Sequence, residues 1–239
     1  EALKHLTASI EIEPDYTDAL LERGALYIQT GQYDNALADY NRIIACNPEI
    51  EDAYFFSGEI LFKQVKPAEA AVFFDKAMEL NPHRGKTYYY EGILSYSRKE
   101  YDKVIEYLDK SIALEPENSE AFKFRGLAYY AKKNTEKALE DFDASIRLNP
   151  FSQETYYNVA IVYFYGDEFA KALEGLNKAI ELKNDYTEAV FLRGAVNARL
   201  NMPEAAYIDY KKTLELDPNH PYAAEIKEFI SGFEQKQKY

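Results

Sequence analysis

The chain has 239 residues, 28 of them basic and 41 acidic, which gives a formal net charge of −13. So acidic a surface repels the phosphates of nucleic acids and of anionic membranes, and the composition therefore argues against both as partners. No stretch comes near the roughly 18 apolar residues that a membrane-spanning helix needs. We therefore expect a soluble protein, without membrane insertion, whose partner is neutral or basic.

Cys46 is the single cysteine, so no intrachain disulfide can form. Avoidance of cysteine suits an oxidising compartment, but a reduced thiol in the cytosol is also consistent with the sequence. The compartment stays open, with the cytoplasm favoured.

Prolines recur every 34 residues along the chain, with Asn184 in one slot of the series: Pro14, Pro48, Pro82, Pro116, Pro150 and Pro218. When this proline is numbered position 32 of a repeat, small residues fall in register at position 8: Gly24, Gly58, Gly92, Gly126, Ala160 and Gly194. Large apolar residues hold position 24: Tyr40, Phe74, Leu108, Phe142, Leu176 and Tyr210. Such a period predicts a repeat array.

The predicted elements follow the period in chain order. Residues 1–16 read as the second helix of a leading partial repeat, so we expect a fragment or a processed product. Each full repeat carries apolar residues at helical spacing over positions 2–14 and 18–30, which predicts an antiparallel helix pair. The six full repeats are 17–50, 51–84, 85–118, 119–152, 153–186 and 187–220. Residues 221–239 are predicted to form a capping helix, Pro221 to Phe233, and a polar tail.

The pattern of these positions resembles the tetratricopeptide repeat, which has an aromatic residue at position 4, glycine at 8, alanine at 20, an aromatic at 24 and proline at 32. The resemblance covers nearly the whole chain. It implies an all-α fold, a right-handed superhelical solenoid of antiparallel helix pairs, acting as a non-catalytic scaffold that binds a protein or peptide. We expect no enzyme, no cofactor and no metal site, because His5, His83 and His220 lack ligand spacing.

Two features of the interior are predicted from the same register. We expect the glycine at position 8 to face the small residue at position 20, so that the paired helices approach closely. The aromatic residues at position 4 are then expected to be core residues: Tyr54, Tyr88, Phe122 and Tyr156.

Position 7 departs from the leucine that the family usually has, because three repeats carry arginine there. Wherever position 7 is arginine, position 23 on the second helix is aspartate, and neither residue occurs there without the other. A guanidinium that faces the second helix is costly unless it is matched. We therefore predict three structural interhelix ion pairs: Arg23 with Asp39, Arg125 with Asp141, and Arg193 with Asp209.

The resemblance implies that positions 2, 5, 9, 12 and 13 of the first helix line a concave groove, and in this chain that face is rich in aromatic residues. The predicted peptide-binding groove consists of Phe55, Phe62, Tyr89, Tyr90, Tyr96, Tyr130, Tyr157, Asn158, Phe164, Tyr165 and Phe191. A continuous apolar patch of this kind is typical of an interaction surface. The alternative is that these rings pack between neighbouring repeats.

The residues also bear on the partner. A clamp for a terminal carboxylate, known in this family, is matched by Lys123 and Asn158, but Glu188 stands where a lysine is needed. Position 2 is acidic in five repeats: Asp18, Asp52, Glu120, Glu154 and Glu188. These acids either stabilise the helix through its dipole or form an acidic rim for a ligand with basic flanks.

We therefore expect a protein or peptide partner with apolar anchors. The alternative function is a structural self-assembly module that stacks as a homo-oligomer through its N-terminal half repeat or its aromatic surface.

Overall fold

The computed structural model describes residues 1–237, and within them the chain forms fourteen α-helices and no strand. The first seven helices are α1 (Ala2–Ile12), α2 (Thr17–Gln29), α3 (Tyr33–Cys46), α4 (Glu51–Lys63), α5 (Pro67–Leu80), α6 (Gly85–Ser97) and α7 (Tyr101–Leu114). The other seven are α8 (Ser119–Ala131), α9 (Thr135–Leu148), α10 (Gln153–Tyr165), α11 (Phe169–Leu182), α12 (Thr187–Arg199), α13 (Pro203–Leu216) and α14 (Ala223–Lys236). The fold is an all-α helical repeat array.

The helices pack in consecutive pairs, from α2 with α3 to α12 with α13, because a short turn joins the two members of each pair. The chain divides into two compact units. Unit 1 is Glu1–Pro116 and contains α1 to α7, and unit 2 begins at Glu117 and contains α8 to α14. The division falls in the turn between α7 and α8.

A left-handed residue ends the first helix of every repeat. The residue at position 15 has a φ between 57° and 73° in all six repeats: Gly31, Val65, Lys99, Lys133, Asp167 and Asn201. In repeat 2 the amide of Lys66 donates to the carbonyl of Leu61 at 2.9 Å, and the amide of Val65 donates to that of Phe62 at 3.0 Å. These two bonds form a Schellman motif, which satisfies the last carbonyls of the helix and reverses the chain direction.

The core is centred on position 24 rather than on position 4. A Cβ atom added to Gly58 would lie 2.7 Å from the ring of Phe74, and one added to Gly24 would lie 2.6 Å from Tyr40. The glycine therefore makes room for the side chain of position 24, and a Cβ atom on Gly126 would also lie 3.2 Å from the carbonyl oxygen of Ala138 at position 20. The predicted core aromatics at position 4 are only half-buried, and Tyr54 and Tyr156 pack against the edge of the buried clusters: Tyr54, Tyr88, Phe122 and Tyr156.

Repeat 5 solves the same packing problem differently. Ala160 replaces the glycine at position 8, and a glycine, Gly175, stands on the facing second helix. A Cβ atom on Gly175 would lie 3.3 Å from the Cβ of Ala160 and 3.1 Å from the carbonyl oxygen of Tyr156. In repeat 5 the glycine therefore lies on the second helix instead of the first, and the two helices still approach closely.

The last helix, α14, begins at Ala223 and extends past Phe233 to Lys236, so part of the predicted polar tail is helical. The last two residues of that tail lie outside the described residues. Ile226 is buried. The positions that pack on a second helix in the full repeats carry polar or small residues in α14, and these are exposed: Ala224, Lys227, Glu228 and Ser231. No helix in the described part of the chain is long and apolar enough to cross a membrane.

Candidate functional site

The three predicted Arg–Asp pairs are brought together by the first and second helices of repeats 1, 4 and 6. Each arginine donates from Nε and from Nη2 to the two carboxylate oxygens of its aspartate, at distances between 2.7 and 3.0 Å. The aspartates are buried, and a bidentate pair satisfies both carboxylate oxygens. Two of the arginines also reach the preceding second helix, Arg23 at Thr7 and Arg193 at Asn177. The pairs of Arg23 and Arg193 therefore each join three helices, which supports a structural role.

Repeat 3 has a carboxyl group at position 7, where repeats 1, 4 and 6 carry arginine. Glu91 is 3 % exposed, and its Oε1 has no hydrogen-bond partner among the described residues. Burial raises the pKa of Glu91 to about 7, and the nearby carboxylate of Asp75 adds to the rise, whereas Arg98 and Lys103 oppose it. The interior of this repeat is therefore sensitive to the protonation of one side chain.

In unit 1 the predicted groove is largely filled by the chain itself. Phe55 is 2 % exposed, and the guanidinium of Arg84 lies 4.4 Å from its ring centroid. Arg84 is held there by ion pairs with Glu51, at 2.8 Å, and with Asp52. The prediction that Phe55 lines a ligand groove was wrong, because a turn residue of the same repeat covers its ring.

Tyr90 also belongs to the packing between repeats. Its ring stacks on Phe74 of the preceding repeat, with centroids 4.9 Å apart and planes 4° apart, and its hydroxyl donates to Glu59 at 3.1 Å. Phe62 packs against the other side of this arrangement, 5.1 Å from Tyr90. For Tyr90, the alternative of packing between repeats is therefore correct. Tyr89 and Tyr96 are half-buried on the same helix.

Unit 2 presents a different surface, which we call the tyrosine cluster: Tyr130 on α8, Tyr157 and Tyr165 on α10, and Tyr186 in the turn before α12. Tyr165 is 74 % exposed. Burial raises the pKa of Tyr130 and of Tyr157, and in both cases the nearby Tyr165 hydroxyl contributes. The Tyr157 and Tyr186 ring centroids are 5.1 Å apart. Tyr157 and Tyr186 are therefore in ring contact, and Tyr165 is close enough to Tyr130 and Tyr157 to affect their hydroxyl groups; all four rings are partly exposed.

Tyr186 was missed by the sequence analysis, although a signal for it exists. The residue at position 34 packs on the ring at position 5 of the same repeat: Arg84 on Phe55, Tyr186 on Tyr157 and His220 on Phe191. The two positions are 29 residues apart in each case. A large side chain at position 34 is therefore the sequence signal for a contact with the ring at position 5.

The remaining predicted residues of unit 2 lie beside the tyrosine cluster or apart from it. Phe164 is half-buried between Tyr165 and Phe169, at centroid distances of 5.4 and 5.8 Å. Asn158 is half-buried on α10. Phe191 is enclosed by His220, at 4.5 Å, and by the stacked ring of Tyr222, at 5.1 Å, so it contributes mainly to packing at the end of the array.

Lys123, a residue that the carboxylate clamp would need, is already neutralised. Its side chain is nearly buried, and Nζ lies 2.8 Å from both Glu120 and Glu154. Burial alone would lower the pKa of Lys123, but the hydrogen bonds to the two glutamates raise it. A ligand carboxylate would therefore compete with two resident carboxylates, which argues against the clamp.

The same contacts revise the predicted acidic rim. Asp52 pairs with Arg84, and Glu120 and Glu154 pair with Lys123. Three of the five acidic residues at position 2 therefore bind cations of the chain itself. Glu188 is exposed and lies near Tyr157 and Tyr186, where it contributes to the raised pKa of both.

Two cavities flank α14, with volumes of about 380 and 500 Å³. Leu214 and Ile230 line one, and Phe229 and Phe233 line the other. A third cavity, of about 180 Å³, also borders α14 and is lined by Phe191 of the predicted groove together with Tyr222 and Phe229. No residue of the tyrosine cluster lines any of these three cavities, so they are separate from that cluster.

Comparisons with known proteins agree with the repeat pattern. Two profiles described as tetratricopeptide repeat match the chain, one over residues 1–49 and 21–84 and the other over residues 119–152. A search of curated protein sequences found no match.

Among solved structures, a chain of the APC/C hetero-tetramer Cut9-Hcn1 is 16 % identical with a TM-score of 0.72, over 92 % of this chain and 44 % of that one. This chain therefore spans less than half of that protein. PilF of Pseudomonas aeruginosa is 20 % identical with a TM-score of 0.77, over 88 % of this chain and 96 % of that one. YrrB, described as a TPR protein with an unusual peptide-binding site, is 21 % identical with a TM-score of 0.66, over 79 % and 97 %. At these identities the similarity concerns the fold. The profile matches and the 34-residue register identify this chain as a member of the tetratricopeptide repeat family.

Proposed function

We propose that this chain is a protein-interaction scaffold that binds a peptide segment on the first-helix face of unit 2, with the tyrosine cluster as the main contact surface. The observation that carries the proposal is the set of partly exposed tyrosine rings from α8, α10 and the turn before α12, two of which, Tyr157 and Tyr186, are in contact. Tyrosine rings supply a large apolar area at low entropic cost, and their hydroxyl groups remain available for hydrogen bonds.

The partner that fits this surface is an extended segment or an amphipathic helix with aliphatic or proline anchors. If each of three tyrosine rings covers about 100 Å² of ligand, burial at about 25 cal/mol/Å² contributes about 2.5 kcal/mol per ring. The costs of association and of ordering the ligand reduce this sum, so we expect micromolar affinity. The acidic composition favours a partner with basic flanks.

Unit 1 is not the proposed site, although the sequence places as many aromatic residues on its first helices. Phe55 is covered by Arg84, and Tyr90 is stacked on Phe74. Side chains that already have a partner within the repeat array offer little additional area to a ligand.

Selection of peptides from a random library, displayed on phage, tests the proposal. We expect the full chain to enrich peptides that carry aliphatic or proline anchors. The enriched peptides should not bind a Tyr130→Ala/Tyr165→Ala variant of equal helical signal. A Tyr16→Ala variant is the matched control, because Tyr16 is an exposed tyrosine of unit 1. Enriched peptides that bind all three proteins equally would contradict the proposal.

The alternative function is self-assembly through the same aromatic surface. Light scattering over a range of concentrations separates the two, because a binding scaffold stays monomeric without its ligand. A dimer that the Tyr130→Ala/Tyr165→Ala variant abolishes would favour self-assembly instead.

A further inference from the structure

The tyrosine cluster lies in a locally negative part of unit 2. Glu120, Glu154 and Glu188 occupy the first turns of α8, α10 and α12, and Lys123 is the cation that contacts the first two. Lys183 is a second ammonium beside the cluster, near the ring of Tyr186, so these three carboxylates still exceed the two cations. Glu188 is exposed at the edge of the cluster, so the excess negative charge is available to a ligand.

The electrostatic effect of these acids reaches two rings of the cluster. Burial raises the pKa of Tyr186, and Tyr157, Glu188 and Glu154 add to the rise. Burial also raises the pKa of Tyr157, again with a contribution from Glu188. A negative potential that disfavours a phenolate favours a cation at the same place.

The geometry of the two rings also suits a cation. The planes of Tyr157 and Tyr186 are tilted by 51° at a centroid distance of 5.1 Å, so the rings do not cover each other face to face. The ammonium of Lys183 lies 5.4 Å from the centroid of Tyr186. The chain therefore already places one positive charge against this ring, within the range of a cation–π interaction.

We propose that Tyr157, Tyr186 and Glu188 form a subsite for a cationic side chain of the partner, with arginine preferred to lysine. This inference rests on the proposed function, because it names the chemistry of one contact within the same surface. The planar guanidinium stacks on an aromatic ring and donates hydrogen bonds to a carboxylate at the same time, whereas an ammonium is more strongly hydrated. The subsite rejects a carboxylate ligand, which Glu188 would repel.

Nuclear magnetic resonance of the full chain with labelled tyrosine rings tests this inference. The probe is N-acetyl-arginine methylamide, and its uncharged isostere, N-acetyl-citrulline methylamide, is the control. We expect the arginine probe to shift the ring signals of Tyr157 and Tyr186 at millimolar concentration. The citrulline probe, which stacks but carries no charge, should shift them several-fold less.

Matched variants assign the effect to the subsite. Glu188→Gln should weaken binding of the arginine probe by at least about threefold, whereas Glu140→Gln, which removes an exposed charge from α9 of the same unit, should leave it unchanged. Lys183→Ala should strengthen binding, because it removes the resident cation from Tyr186. Raising the salt concentration from about 0.05 to 0.5 M should weaken binding, since exposed charges are screened.

Three results would overturn the inference: equal shifts from the two probes, shifts confined to other tyrosines, or equal effects of Glu188→Gln and Glu140→Gln. None of them affects the proposed function if library peptides without a basic residue still require Tyr130 and Tyr165. Loss of that requirement would instead contradict the proposed function, and the two failures are therefore distinguishable.

Discussion

Arg23 and Asp39 form a bidentate ion pair, in which Nε donates to Oδ2 at 2.8 Å and Nη2 donates to Oδ1 at 2.7 Å. Asp39 is 5 % exposed, so its carboxylate depends on the guanidinium for both hydrogen bonds. The pair connects α2 with α3, and a third bond from Arg23 to Thr7 extends the connection to α1.

The loss of one partner should therefore cost more than the loss of both. Arg23→Met leaves a buried carboxylate without its cation, and we expect the free energy of unfolding to fall by about 3 kcal/mol. The double variant Arg23→Met/Asp39→Leu should lose less, because no buried charge remains. Urea denaturation of the two single variants and the double variant gives the coupling energy. Additive losses would show that the pair is not coupled.

A second prediction concerns Val65, whose backbone has a φ of 59°. A β-branched residue is strained in this left-handed region, and its side chain is exposed, so little packing compensates for the strain. Val65→Gly should raise the denaturation midpoint, with a gain of about 1 kcal/mol.

The matched substitution at the same position of repeat 1 should have the opposite effect on stability. Gly31 has a φ of 73°, so Gly31→Val should destabilise the chain by at least about 1 kcal/mol. If Val65→Gly lowers stability, the valine side chain makes a contact that outweighs the strain.

A third prediction follows from the close approach of Gly58 to Phe74. The Cβ atom of Gly58→Ala would lie 2.7 Å from the ring, so the ring or the helix must move. Overpacking of this kind costs about 1–3 kcal/mol. Gly232→Ala on α14 is the control, because nothing lies within 4 Å of its added Cβ atom, and it should be neutral or stabilising through helix propensity. Equal thermal unfolding of the two variants would contradict the packing argument.

A fourth prediction concerns pH, because the pKa of Glu91 in the folded chain is about 7. An ordinary glutamate in the unfolded chain has a pKa of about 4.3, so the folded state binds the extra proton between these values. The contribution of Glu91 to stability is fully present below the unfolded pKa and is lost as the pH rises through about 7.

Glu91→Gln should remove the loss of stability that accompanies ionisation of Glu91. We expect the variant to be more stable than the parent chain above pH 7, by up to about 3 kcal/mol, and the difference to shrink towards pH 4. Denaturation across this pH range measures the slope. A difference that does not depend on pH would show that Glu91 does not titrate in the folded chain.

The repeat period predicted the helix pairs and the partners of the three buried arginines, because both depend on which residues share a helix face. The left-handed residue in each turn was not predicted, since Val65 and Lys99 are not residues that favour this conformation. The exposure of the aromatic face was predicted only in part. A helical period shows which way Phe55 points, but it does not show that Arg84, 29 residues later, covers the ring.

Covering by a distant turn residue also explains why the proposed site lies in unit 2, although the predicted groove includes both units. Repeats 2 and 5 carry aromatic residues at the same positions of the first helix, and both have a large residue at position 34. The charged Arg84 closes over Phe55 with the help of Glu51 and Asp52, whereas Tyr186 adds another ring beside Tyr157. The chemistry of one turn residue therefore decides whether the ring is covered or the aromatic surface is extended.

The affinity of an enriched library peptide, measured by fluorescence anisotropy, tests the central claim most directly. Tyr165 is exposed on α10, so Tyr165→Ala should remove ligand contact without loss of fold and weaken binding about tenfold, or about 1.4 kcal/mol. Tyr89→Ala in unit 1 should leave the affinity within about twofold of the parent value. Loss of binding in Tyr89→Ala, together with unchanged binding in Tyr165→Ala, would contradict the assignment of the peptide site to the tyrosine cluster.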